Sequence, residues 1–270
     1  MFVETRAAFR LARVGVHLLW GAATVAVVYP WIDMRFRRAL KRRWSRQLLE
    51  ALGVRLKVSS GGTAWPALGL VVSNHISWLD IFVINALTPA AFVAKDDVKH
   101  WPLIGWLCVH TETIFLERGS RAAAQRTRES IQAHLGDVPV VVFPEGTTTG
   151  GDHVLPFHAA LFQSAIDADT PVIPLALRYV DAEGNSSRAP AYDGDITMWQ
   201  CLRAIIRSGG LAADLRVLSP LAIETADRRQ LSAQSHDAIA WHLEQARHPV
   251  QSFRSEGNWA EKMLPLPGVD

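Results

Sequence analysis

The sequence predicts an α/β domain, with a mostly buried central sheet flanked by helices, that follows an N-terminal membrane-associated helical segment. The domain is predicted because short β-rich runs alternate with helix-length stretches from Val54 onward, and because 49% of the 270 residues are hydrophobic. The preceding segment is predicted from one uncharged, mostly apolar run of 19 residues, Val14 to Ile32. We therefore assign residues 1–53 to a membrane-anchoring segment and residues 54–270 to one domain.

The N-terminal segment combines this apolar run with a basic stretch. As a helix the run would be about 28 Å long, which barely spans a hydrocarbon core. Arg35 to Arg46 then holds seven cations, with Phe36, Leu40 and Trp44 at helical spacing. This pattern predicts a helix in the headgroup region whose cations face anionic lipid. Whether the apolar run spans the membrane or lies in the interface stays open, and a buried core helix is the alternative.

The formal charge is divided unevenly along the chain. Residues 1–60 contain 12 Lys and Arg against 3 acidic residues, whereas the other 210 residues contain 16 against 23. A basic head on an acidic body indicates an anionic surface as partner. A nucleic-acid arm would explain the cations but not the neighbouring apolar run, so we expect no nucleic acid. If the run spans the membrane, the heavier basic flank follows it, and the body is then expected on the cytoplasmic side.

The elements of the domain follow from hydrophobic periodicity and from the turn residues between runs. Strands are predicted at 68–73, 90–94, 113–116, 138–143, 172–179 and 214–221, and helices at 78–87, 101–109, 121–135, 156–168, 197–207 and 228–247.

The first candidate site lies where a predicted strand runs into Asn74 and His75 before a helix. In an open α/β sheet, ligands gather where strands end. If His75 lies in the turn and Asp80 in the first helical turn, the carboxylate can fold back and fix the imidazole tautomer. The other ring nitrogen could then accept a proton from substrate. The alternative is structural, because Ser77 and Asp80 also have the spacing of a capping box.

The second and third candidate segments are a loop and an arginine. After a buried strand, Glu145, Gly146 and Thr147 begin a loop of small and hydroxyl residues, where consecutive N–H groups could bind an oxyanion. A flexible turn is the alternative. Arg118 follows a short strand and would be either a solvated ion-pair partner or a bidentate anion clamp.

Several other chemistries lack their motifs. The sequence has no G-x-S-x-G elbow, no S-x-x-K and no HExxH, and its two cysteines form no CxxC. We therefore expect neither a serine nucleophile nor a metal site.

Four motifs together resemble the glycerolipid acyltransferase family, which includes lysophosphatidic acid acyltransferases. The NHxxxxD motif is similar to Asn74–Asp80, and an Ile-Phe-x-x-Arg string is similar to Ile114–Arg118. The FPEGT motif matches Phe143–Thr147, and an apolar, proline-centred motif resembles Val172–Leu175. The four occur in the family's order.

The resemblance implies an O-acyltransferase of membrane lipid synthesis at the cytoplasmic face of the inner membrane. His75 would deprotonate a lysolipid hydroxyl while Asp80 orients it, and the alkoxide would attack an acyl thioester directly. No cofactor is implied, because acyl-CoA or acyl-carrier protein is the co-substrate. The residues implied in binding the acceptor are Asn74, Arg118, Glu145, Gly146 and Thr147.

Two departures from the family pattern bear on the acceptor. Thr148 stands where the family often has Arg, and Glu117 replaces the usual Asp. The missing cation weakens the case for a phosphate monoester, and Phe143–Phe162 is similar to the subgroup that acylates lyso-ornithine lipid. Lyso-ornithine lipid and lysophosphatidic acid are both kept as acceptors. A thioesterase-like hydrolase and a catalytically silent lipid-binding protein are the alternative functions.

Overall fold

A seven-stranded sheet forms the centre of the computed structural model, which describes residues 2–60, 65–117, 120–224 and 226–247. The strand order is β1-β7-β6-β2-β5-β3-β4, and every neighbouring pair is parallel except β6 with β7. The strands are β1 Arg55–Ser59, β2 Leu70–Ser73, β3 Ala91–Lys95, β4 Thr113–Leu116, β5 Val140–Val142, β6 Val172–Val180 and β7 Ala212–Val217. The predicted α/β class is therefore confirmed.

Six of these strands match predicted ones, and β1 is additional. It lies at the edge of the sheet, pairs only with β7, and is mostly exposed. Its sequence alternates basic with apolar residues over five positions, so it lacks the apolar run from which the buried strands were predicted.

Helices cover both faces of the sheet. They are α1 Phe2–Ala23, α2 Met34–Leu52, α3 Leu79–Asn85, α4 Ile104–His110, α5 Arg121–Leu135, α6 Gln163–Asp167, α7 Met198–Arg207 and α8 Arg228–Arg247. The connections through α3 and α4 advance in one direction across the sheet, and right-handed crossovers place both helices on one face. The connections through α5 and α6 return in the opposite direction, which puts them on the other face. In the hydrophobic clusters, α1, α2 and α7 join α3, whereas α8 packs beside α6.

The N-terminal segment is a helical hairpin that shares the core of the domain. A π-helical turn and a 3-10 turn extend α1 to Trp31, and Asp33 then caps α2 by accepting a hydrogen bond from the Phe36 amide (3.0 Å). The last turn of α2 is buried with β2 and α3, and Val14 of α1 joins the same cluster. The hairpin of α1 and α2, which lies within the predicted anchoring segment 1–53, therefore packs into the core of the domain.

The basic stretch differs from the prediction in where its cations point. Arg38 and Lys41 turn toward the domain and bind Glu112, and only 9% of the Lys41 side chain is exposed. Arg35, Arg42 and Arg43 stay exposed on the outer side of α2. The hydrophobic periodicity placed the helix correctly, but acidic partners distant in sequence decided which cations face solvent.

Candidate active site

The candidate site forms at the carboxyl ends of β2 and β5, which are neighbours in parallel register. Asn74 and His75 follow β2, and Phe143 and Glu145 follow β5. Parallel strands end at the same edge of a sheet, so the first and third motifs meet although 70 positions separate them.

His75 and Asp80 form a hydrogen-bonded pair. His75 lies in the turn before α3, Asp80 is the second residue of that helix, and Nδ1 of the imidazole is 2.8 Å from Oδ2 of the carboxylate. The imidazole stacks on the Phe143 ring, with centroids 3.9 Å apart. The His75 side chain is 19% exposed, and no hydrogen bond to its Nε2 occurs within the described residues. A proton on Nδ1 facing the carboxylate leaves the Nε2 lone pair available as a base.

The same carboxylate also closes the turn that carries His75. Oδ2 of Asp80 accepts hydrogen bonds from the backbone N–H of Ile76 (2.7 Å) and of Ser77 (2.9 Å). The Ser77 hydroxyl accepts from the Leu79 amide in return. Only half of the predicted capping box is formed, because the Asp80 amide donates to the Ser77 carbonyl and not to its hydroxyl, but the Asp80 carboxylate makes its half of the box and the contact with His75 together.

Tyr179 supplies a fourth donor that the sequence analysis did not identify. Its hydroxyl donates to Oδ1 of Asp80 (2.7 Å) from β6, the strand next to β2. Burial, and then the neighbouring carboxylate, raise the pKa of Tyr179 well above its ordinary value, so the phenol stays a donor. Asp80 itself has no exposed surface. Four donors around a fully buried carboxylate suit its ionised form, which accepts only. No local sequence signal marks Tyr179, because its role depends on sheet pairing.

Glu145 holds the backbone of His75. One of its oxygens accepts from the His75 amide (2.7 Å) and the other from the Leu155 amide (2.8 Å). Burial raises the pKa of this carboxyl, and the two backbone donors oppose that shift. On the other side of the residue, the Thr149 amide donates to the His75 carbonyl (2.9 Å). Glu145 was predicted to bind the acceptor, but both its oxygens accept hydrogen bonds from backbone amides, so in this structure it positions the backbone of His75.

Asn74 has a similar structural role. It is fully buried; its side-chain amide donates to the Leu177 carbonyl and its side-chain oxygen accepts from the Leu177 amide, both at 2.9 Å. This pair of bonds ties the end of β2 to β6 across 103 positions of sequence. Asn74 was predicted to contact substrate, whereas in the structure both polar atoms of its side chain bind the Leu177 backbone.

The other predicted binding residues are distributed differently. Gly146 and Thr147 are exposed at the tip of the turn after Glu145. Gly146 adopts a left-handed conformation (φ 70°), and a Cβ there would lie 3.2 Å from Nε2 of His158. His158 therefore borders the turn, although its position in the sequence belongs to none of the motifs. Arg118 lies outside the described residues.

The chain is similar to a protein-family model and to curated proteins. A family model described as Acyltransferase matches residues 65–178, which include both motifs of the site. The lyso-ornithine lipid O-acyltransferase of Pseudomonas aeruginosa is 33% identical over 238 residues, covering 83% of this chain and 90% of that protein. The 1-acyl-sn-glycerol-3-phosphate acyltransferase of Neisseria meningitidis is 36% identical over 196 residues, covering 72% and 76% respectively.

The fold has a counterpart among solved structures. The crystal structure of a 1-acyl-sn-glycerophosphate acyltransferase from Thermotoga maritima superimposes with a TM-score of 0.68 at 18% identity, covering 90% of this chain and 95% of that one. At this identity the match concerns the fold alone. The sequence relatives, matched over most of their length, and the family match over the site show that the chain belongs to the acyltransferase family and is an acyltransferase.

Proposed function

We propose that the protein transfers a fatty acyl group from acyl-CoA or acyl-carrier protein to the hydroxyl of a lysolipid at a membrane surface. The observation that carries the proposal is the His75–Asp80 pair, with Nδ1 held at 2.8 Å and Nε2 without a hydrogen bond from the described residues on a partly exposed ring. Such a pair is a positioned general base.

The reaction needs only one proton to be moved and returned. Nε2 of His75 accepts the hydroxyl proton as the oxygen attacks the thioester carbonyl, and the Asp80 carboxylate stabilises the imidazolium. When the tetrahedral intermediate collapses, the C–S bond breaks and the imidazolium returns the proton to the thiolate. The acyl group passes directly to the acceptor, so the protein needs no nucleophile. The Phe143 ring fixes the plane of the imidazole during both steps.

Two acceptors are proposed, lyso-ornithine lipid and lysophosphatidic acid. Relatives named for each are about equally similar to this chain, at 33% and 36% identity. The hydroxyl of Thr148 donates a hydrogen bond to the Tyr192 carbonyl. Thr148 replaces a cation of the family pattern and has no charge with which to bind a phosphate. This favours the phosphorus-free acceptor.

The membrane location is supported by α1. One apolar helical stretch, Thr5–Trp31, is long enough to cross a bilayer, and only 17% of its most apolar window is buried in the protein. It also packs lengthwise against α2, where Gly21 lies so close to Trp44 that a Cβ would clash. A helix held along a charged neighbour suits an interfacial position better than a spanning one. We place the enzyme on the cytoplasmic face of the inner membrane.

The test is acyl transfer by purified full-length protein in mixed micelles, with a labelled acyl thioester and a panel of lysolipids. His75→Ala should reduce transfer to background, whereas His134→Ala, on α5 across the sheet, should keep wild-type activity. Free fatty acid released without an acceptor would identify a thioesterase instead, and no thioester turnover would identify a silent lipid-binding protein.

The same panel tests the acceptor. Lyso-ornithine lipid should be acylated at least as fast as lysophosphatidic acid, because no cation stands at position 148. Strict dependence on a phosphate group would contradict this assignment.

A further inference from the structure

A second exposed apolar patch lies on the segment that joins β3 to β4. Five large apolar side chains within nine residues are between 37% and 57% exposed, namely Trp101, Leu103, Ile104, Trp106 and Val109. We call this set the α4 patch. Clusters of this kind on a folded surface mark interaction sites.

The backbone of the segment keeps the patch facing outward. Leu103 has φ 62° and is 54% exposed, a conformation that L-residues rarely adopt and that packing in the core does not explain. Gly105 packs so closely on the Lys99 carbonyl that no side chain would fit there. The turn before α4 is thus compact on its inner side, and its apolar side chains lie outside.

A buried ion cluster attaches α4 to the N-terminal hairpin. Glu112, two residues after α4 ends, accepts from Nζ of Lys41 (2.9 Å) and from two guanidinium nitrogens of Arg38 (2.7 and 2.8 Å). Nζ of Lys41 also donates to the Thr111 carbonyl (3.3 Å). Because these contacts are largely screened from solvent, the end of α4 is fixed against α2.

The helix to which the patch is attached carries exposed cations. Arg35, Arg42 and Arg43 are exposed on α2, the helix whose Arg38 and Lys41 bind Glu112 just after α4. On its other side α2 packs against α1, whose outward side chains include Leu19 and Trp20, 72% and 67% exposed. Exposed apolar side chains of α1 and of the α4 patch are therefore both attached to the helix that carries the exposed arginines.

We propose that the α4 patch is a second membrane contact, which inserts its apolar side chains into an anionic bilayer while the arginines of α2 bind the headgroups. Charge complementarity selects this occupant, since apolar side chains beside exposed arginines match the acyl boundary and the anionic surface of a bilayer. The inference rests on the proposed membrane location and extends it from one helix to two anchoring points.

The first test is partition of the full chain to vesicles of phosphatidylcholine with and without 30% phosphatidylglycerol. Leu103→Asn combined with Val109→Gln should weaken partition about ten-fold or more, because two inserted side chains are lost. Both positions are exposed, so polar side chains should be accommodated there and folding retained, as thermal unfolding would verify. The matched control is Trp241→Gln, at an even more exposed apolar residue on α8 across the sheet.

A second measurement does not depend on how tightly α1 binds. The fluorescence of Trp101 is the difference between the wild type and Trp101→Phe, and that of Trp241 is the difference between the wild type and Trp241→Phe. Phospholipids brominated in their acyl chains should quench the fluorescence of Trp101 and should not quench that of Trp241. Unchanged partition together with unquenched Trp101 would overturn the proposal. The proposal would also be overturned if the double variant bound vesicles normally but no longer bound acyl-carrier protein. The same holds if its only change were that a dimer dissociates. Vesicle binding without acyl transfer would support this inference while contradicting the proposed function.

Discussion

Replacing Asp80 by asparagine isolates the charge of the pair from its geometry. The asparagine side-chain oxygen can take the place of Oδ2 and accept from His75, Ile76 and Ser77, as the carboxylate does. Its NH₂ group then faces Tyr179, whose hydroxyl can rotate to accept instead of donating. The turn and the tautomer are kept, and only the negative charge is lost.

The magnitude follows from the distance between the two groups. With Nδ1 and Oδ2 2.8 Å apart, the charge centres of the imidazolium and the carboxylate are about 4 Å apart, worth about 4 kcal/mol at an effective dielectric constant of about 20. The imidazolium exists only after proton transfer, so the transition state loses this energy and the ground state does not. We expect kcat to fall about 10³-fold.

The assay is acyl transfer under saturating donor and acceptor, with thermal unfolding of the same samples. Asp80→Asn should unfold near the wild-type temperature. Asp80→Ala leaves buried donors without an acceptor, and at about 1–3 kcal/mol per unpaired group its free energy of unfolding should fall by several kcal/mol. Asp237→Asn, an exposed site on α8, is the control for the chemical change alone. If Asp80→Asn kept more than a tenth of wild-type kcat, the charge would not be catalytic. If it unfolded as early as Asp80→Ala, the loss of activity would be geometric.

Two further predictions concern the residues that support the pair. In Tyr179→Phe, the Asp80 carboxylate loses one of its four donors and is held less firmly, so kcat should fall several-fold while KM stays unchanged; an unchanged kcat with only lower stability would make the tyrosine merely structural. For Glu145 burial raises the pKa, so its contribution to stability is present at low pH and is lost as the pH rises through that raised value. The free energy of unfolding of Glu145→Gln, relative to that of the wild type, should therefore increase as the pH rises above 4.5, the ordinary pKa value for Glu. Denaturant unfolding of both proteins at several pH values measures this difference. A difference that does not change with pH would disprove the prediction.

The structure also changes how the N-terminal segment can be tested. The sequence suggests deleting residues 1–46 to release the protein from membranes. In the fold, that deletion would remove Val14 and Trp44 from their packing and expose Leu48 and Leu49 of the shared core. Substitutions on the outward face of α1, such as Leu19→Gln, test membrane binding without removing the core.

Much of the fold and the centre of the site could be predicted from sequence because they depend on short-range patterns. Buried strands such as β2 and β6 are apolar runs, and α5 and α8 begin and end where the periodicity places them. The five-residue separation of His75 and Asp80 spans one turn and the start of one helix, so their contact follows from local geometry. The edge strand β1 has no such pattern, because only one neighbour and little burial constrain it.

By itself, then, the sequence determined the α/β class, the apolar and basic helices at the N-terminus, and the pairing of a histidine with an aspartate at a strand end. Only the tertiary structure decided that Tyr179 supports Asp80 from 99 residues away, that Asn74 and Glu145 bind backbone, and that Lys41 faces a buried acid. The physical reason is that a buried polar group must find a partner wherever folding places one. Strand order and register determine which partner that is, and neither can be predicted from the residues adjacent in sequence.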